Sequence, residues 1–167
     1  MRNSIKLAAL GVSAVVAPLL VASIFGLPVL ATPGSGVTST PLAQGRFEEI
    51  QSNVKTGDWK MQMKTKGVSD VFVLENRLVP GATFGWHSHP GPSLVIVKSG
   101  TLSLYHADDP TCTAELISAG RGFVDEGGAV HVVRNETASE VVVVVTSIVP
   151  AGAARRIDEP APSHCTS

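Results

Sequence analysis

Three of the five histidines in this chain stand in two segments whose spacing could assemble a metal site. In Pro80 to Gly100 (PGATFGWHSHPGPSLVIVKSG), five residues separate Gly81 from His87, and His89 is next but one. Ser93 follows after three residues, and Gly100 after six more. In Gly120 to Asn135 (GRGFVDEGGAVHVVRN), Gly120 and Gly128 precede His131, and Asn135 follows it. Side chains two apart on a β-strand share a face, so His87 and His89 point the same way and odd-numbered Ser93 can join them. His131 can meet them only if a second strand folds back alongside the first. Three imidazoles converging in this way make a site for a divalent metal.

The pattern resembles the cupin superfamily. Its first motif reads Gly, five residues, His-x-His, three or four residues, Glu, six residues, Gly. Its second reads Gly, five residues, Pro-x-Gly, two residues, His, three residues, Asn. The match runs through Gly81, His87, His89 and Gly100, then Gly120, Gly128, His131 and Asn135. It departs at Ser93, where the family has Glu, and at Glu126, where it has Pro. The resemblance implies a metal-ligand role for His87, His89 and His131. It leaves the position of the usual carboxylate to a serine.

Neutral imidazoles suit Fe, Zn, Ni, Cu or Mn. A site without a carboxylate is less anionic, which weakens the case for Mn²⁺, an ion that prefers oxygen ligands. Ser93 can be a weak ligand, a partner for a water in the vacated position, or a residue that fills space. The last is favoured, because a neutral hydroxyl is a poor ligand. Glu126 is either a carboxylate that orients an imidazole or, as its loop position favours, an exposed charge. Phe84 and Trp86 have the opposite parity to His87 and are expected to face outward or cover an edge. His106 and His164 are expected at the surface. Val95, Val97, Leu102, Leu104 and Val133 are inward by parity and would wall the site.

The elements that must position these residues read as strands. Trp59–Met63 alternates apolar and polar residues, and residues 70–79, 93–98, 101–106, 114–117, 130–134 and 140–149 are rich in Val, Ile, Leu and Thr. Turn chemistry separates them at Lys98-Ser99-Gly100, Asp108-Asp109-Pro110, Ala119-Gly120 and Asn135-Glu136-Thr137. No helical period is convincing after residue 31. The expectation is an all-β sandwich or barrel, which the resemblance narrows to a single jelly-roll β-barrel over residues 42–150.

At the N-terminus, Arg2 and Lys6 precede an uncharged stretch from Leu7 to Leu30, and Val29-Leu30-Ala31 offers a signal-peptidase site. Residues 1–31 therefore read as a signal peptide or an uncleaved membrane anchor, and either places the domain outside the cytoplasm. Residues 32–41 (TPGSGVTSTP) read as a flexible tether. Residues 151–167 read as an extended tail. The two cysteines, Cys112 and Cys165, are expected to pair in an exported protein.

A formal net charge of −1 without a basic cluster argues against a nucleic-acid partner. The expected partners are a small-molecule ligand or substrate, the membrane only through an uncleaved N-terminal segment, and a second copy of the chain. If the protein is an enzyme, the metal would act as a Lewis acid or an O₂-binding centre, because no nucleophile or acid–base pair is apparent. Dioxygenase and isomerase chemistry both occur among cupins. The alternative is a non-catalytic sensor or scaffold that captures a ligand or metal outside the cytoplasm.

Overall fold

The structure is a computed structural model that describes residues 31–165, so all but the last residue of the expected targeting segment, residues 1–31, lies outside them. The described residues hold twelve strands and no helix. In chain order these are β1 Ser35–Phe47, β2 Gln51–Thr56, β3 Trp59–Lys64, β4 Ser69–Thr83, β5 His87–Ser88 and β6 Ser93–Ser99. There follow β7 Thr101–His106, β8 Glu115–Ser118, β9 Gly122–Asp125, β10 His131–Arg134, β11 Val141–Pro150 and β12 Ile157–Asp158. Ten strands form one antiparallel sheet along the path β12-β5-β10-β4-β11-β6-β9, with β1 added to β4 and β7 joining β10 to β8. The other two, β2 and β3, form a separate hairpin.

Alternation decides which faces point inward. On β6, Ser93, Val95 and Val97 are buried while Leu94 and Ile96 are exposed. On β11, Val141, Val143, Val145, Ser147 and Val149 are all buried. These residues join Leu78, Leu102, Leu104, Ile117 and Val133 in one apolar core. Each such Leu or Val contributes roughly 1.5–3 kcal/mol by leaving water. The inward wall expected from parity (Val95, Val97, Leu102, Leu104 and Val133) lies wholly within it.

Residues 35–41 are not a tether. They begin β1, which pairs with β4 from Ser35↔Thr83 to Phe47↔Ser69. The strand has one neighbour and is exposed along most of its length. Backbone hydrogen bonds hold such an edge, so it needs no apolar alternation. Pro41, which cannot donate to a ladder, sits at a register shift. Arg46 fastens the end of β1, donating from Nε and Nη2 to the two carboxylate oxygens of Asp70 at 2.7 and 2.9 Å. That partner, with the Gly152 N–H, holds the Asp70 carboxyl down at about 2.

The C-terminal segment is extended, yet it is stitched into the sheet. Ile157 pairs with Ser88 and Asp158 with His87, and the Glu159 N–H donates to the Trp86 carbonyl at 3.0 Å. Cys165 is bonded to Cys112 and buried beside Trp86 and Val132. The folded unit therefore extends past both ends of the expected 42–150 barrel.

Candidate metal centre

His87 lies on β5, His89 just beyond it, and His131 opens β10 directly opposite His87 in the ladder. All three are buried, with one nitrogen of each within 4.8 Å of those of the other two. Ring centroids are 4.3 Å apart for His87 and His131, 4.8 Å for His87 and His89, and 5.5 Å for His89 and His131. The required fold-back of a second strand is thus present.

Backbone carbonyls set the orientation of every ring. Nδ1 of His87 faces the Gly85 carbonyl at 2.8 Å, Nδ1 of His89 faces the Arg155 carbonyl at 2.6 Å, and Nδ1 of His131 faces the Ala129 carbonyl at 3.2 Å. A carbonyl only accepts, so each Nδ1 carries the hydrogen, and in its neutral form each ring keeps its lone pair at Nε2. Burial, followed by the neighbouring His131 and Arg156, pushes His87 down to about 2. Burial lowers His131 too, against the opposing charge of Asp125. Neutral imidazoles tethered through Nδ1 are the form in which histidine accepts a metal.

Close backbone packing shapes the floor of the site. Gly91 and Gly127 lie back to back, and a Cβ on Gly127 would stand 2.7 Å from the Gly91 carbonyl carbon. A Cβ on Gly91 would stand 2.2 Å from the Ile148 carbonyl oxygen. This approach lets the Gly128 N–H donate to the His89 carbonyl at 2.8 Å, joining the two motif loops.

A cavity of about 440 Å³ opens onto the histidines, within the range of small-molecule sites. Phe84, Val95, Leu102, Phe123, Val133 and Val143 form much of its wall. Phe84 is thus a lining residue, contrary to the parity argument. β4 ends at Thr83 and β5 starts at His87, so the intervening residues follow no strand alternation. Trp86 does not line the cavity, as its parity predicts, and is buried with Val132 and Cys165 rather than exposed. His106 and His164 are exposed, as expected.

Ser93 is buried in the cavity wall, but its hydroxyl is engaged with that of Ser147 at 2.9 Å. Glu126 is exposed and is not a lining residue. The carboxylate in the cavity belongs to Asp125, one position earlier, at the end of β9 and directly opposite Ser93. Sequence reasoning missed it because four residues between glycines did not read as a strand. Inward parity shared by Phe123 and Asp125 was the available signal. Arg155 and Arg156, also lining residues, lay in what read as a tail.

The family model described as "Cupin domain" matches residues 75–147. Among solved structures, the polyketide cyclase RemF from Streptomyces resistomycificus aligns with a TM-score of 0.52 at 12% identity, covering 81% of this chain and 82% of that one. A cupin superfamily protein from Desulfitobacterium hafniense gives 0.47 at 11% identity, with 69% and 79% covered. A cupin-like protein from Thermotoga maritima gives 0.46 at 22% identity, with 55% and 65% covered. The likeness to RemF is one of fold. No curated protein matches this chain in sequence.

Proposed function

We propose, starting from the match of residues 75–147 to the cupin domain, that this chain binds one divalent transition metal through His87, His89 and His131 and uses it on a small anionic molecule. The observation that carries this reading is the common orientation of the imidazoles. Three rings from two strands each give Nδ1–H to a backbone carbonyl, which leaves three Nε2 lone pairs for a cation. A structural role alone does not need three buried neutral histidines at one point.

The cavity supports a small-molecule substrate, and its charge supports an anion. Arg155 has no hydrogen-bond or carboxylate partner for its guanidinium among the described residues, while Arg156 is paired with Asp158. Burial, with the charge of Arg156, lowers the pKa of Arg155. An unmatched cation in a largely apolar cavity favours a carboxylate or another anionic group. A divalent metal held at the histidines would supply Lewis-acid or oxygen-dependent chemistry of the isomerase or dioxygenase type. The chain's own residues would orient the anion, through Arg155, and exclude water, through the apolar wall. The disulfide supports a place outside the cytoplasm for this activity.

Elemental analysis of the purified protein beside a His87→Ala, His89→Ala variant tests the site. About one metal per chain in the wild type and none in the variant is expected. Equal content in the two proteins would end the reading. Oxygen uptake and substrate loss, measured over a panel of small carboxylates with metal-loaded protein, test the enzyme. Tight metal without turnover would make the protein a binding module instead.

A further inference from the structure

We propose that Asp125 is the fourth protein ligand of the metal, supplying from β9 the carboxylate that Ser93 lacks on β6. The inference rests on the three-histidine reading above and deepens it. Ser93 and Asp125 are direct partners in the β6–β9 ladder. A carboxylate at either position projects from the same row of the barrel into the cavity. What the first motif lost on one strand is present on the next.

The surroundings of Asp125 carry the argument. Its side chain is only 6% exposed. Oδ1 accepts the Gly127 N–H at 3.1 Å, which fixes the plane of the carboxylate. Oδ2 is buried and has no hydrogen-bond partner. It lies 3.4 Å from Nε2 of His89 and 3.9 Å from Nε2 of His131. In the neutral rings both nitrogens present lone pairs, because Nδ1–H is spent on the Arg155 and Ala129 carbonyls. Acceptors facing acceptors inside a barrel repel, and an orphaned buried carboxylate oxygen is costly. A cation among them removes both penalties at once.

Asp125 Oδ2 lies close enough to two of the three histidines to share a cation with them. With bonds of about 2.0–2.1 Å, ligand atoms along one edge of a coordination tetrahedron are about 3.3–3.4 Å apart. The His89–Asp125 separation of 3.4 Å matches such an edge, and the His131–Asp125 separation of 3.9 Å would have to close on binding. Ser93 offers only a neutral hydroxyl, a poor ligand, and shares it with Ser147. A set of three nitrogens and one carboxylate oxygen is also harder and more anionic than three nitrogens alone. It retains Mn²⁺ and Fe²⁺, ions that an all-imidazole site holds less well.

The test uses the full chain as wild type, Asp125→Asn, and the double variant Ser93→Glu, Asp125→Asn. The asparagine keeps the Oδ1 acceptor for Gly127, and circular dichroism reports the fold. Cobalt(II) and manganese(II) are titrated by visible absorption and electron paramagnetic resonance. Asp125→Asn is expected to weaken Mn²⁺ binding by more than the about 10–100-fold typical of groups that only orient a ligand. It should also shift the cobalt bands, and the double variant should recover both by restoring a carboxylate across the ladder. Cobalt bands in Asp125→Asn that superimpose on those of the wild type would overturn the assignment, whatever the affinity. If Asp125→Asn fails to fold, Asp125→Ser, which keeps an oxygen for the Gly127 N–H, decides by the same cobalt bands: shifted bands support the assignment, and bands that superimpose on the wild type overturn it. Metal in the wild type with unchanged cobalt bands in Asp125→Asn overturns Asp125 alone. No metal in the wild type overturns the three-histidine reading with it.

Discussion

Replacing both cysteines with alanine should cost the domain much of its stability and leave the metal site intact. The Cys112–Cys165 bond closes a loop of 53 residues. Opening a loop of that length returns about 14 cal/mol/K to the unfolded chain, about 4 kcal/mol at 25 °C. Loss of the two sulfur atoms from the cluster with Trp86 and Val132 adds about 1 kcal/mol. With a urea m-value of about 2 kcal/mol/M, the midpoint should fall by about 2–3 M. The m-value should rise slightly, because the unfolded chain becomes less compact. The site should survive because the tail is held next to it by other means. β12 pairs with β5, Ser88 Oγ donates to Glu159 at 2.8 Å, and the Glu159 N–H reaches the Trp86 carbonyl. The Arg155 carbonyl therefore stays on His89. Urea unfolding by circular dichroism, with metal titration of the folded variant, reads both quantities. A midpoint shift under about 0.5 M would refute the cross-link calculation. A loss of metal affinity of about 10–100-fold, the effect of freeing an imidazole from its carbonyl, would refute the independence of the tail.

Two further expectations follow from buried groups. Asn135 is fully buried, donates to the Leu78 and Ser139 carbonyls at 2.8 Å, and accepts from Thr137 N–H and O–H at 3.0 and 2.7 Å. Asn135→Ala should cost about 2–4 kcal/mol in urea unfolding without changing metal content, since the residue braces the turn before β11 rather than the site. The metal-free protein should lose stability in acid. His87 is held at about 2, far below its ordinary value, so the unfolded chain takes a proton that the native state refuses. This contribution is complete above about pH 6.5 and falls by about 1.4 kcal/mol per pH unit as pH drops toward about 2, with His131 adding in the same direction. Urea midpoints across this range should show a shallower slope in His87→Gln, and parallel slopes would refute the assignment.

Much of the barrel was legible along the chain because burial leaves a record in residue type. A strand with one face in the core must alternate, as β6 does, and a strand deep in the sheet becomes a valine run, as β11 does. The three histidines were legible for the same reason, their parity and spacing being properties of local backbone. The disulfide followed from cysteine count and expected compartment. β1 left no such record: an exposed edge is held by backbone hydrogen bonds, which every residue except proline can make, so Gly, Ser and Thr serve as well as Val. Nor could the chain announce that Asp125 stands opposite Ser93, or that the Arg155 carbonyl orients His89 from 66 residues away. Those neighbours are set by register between strands distant in sequence, and a shift of one residue would have turned Asp125 outward and Glu126 in. Local chemistry determined which side chains could bind a metal, and only the folded sheet decided which carboxylate and which cations share their cavity.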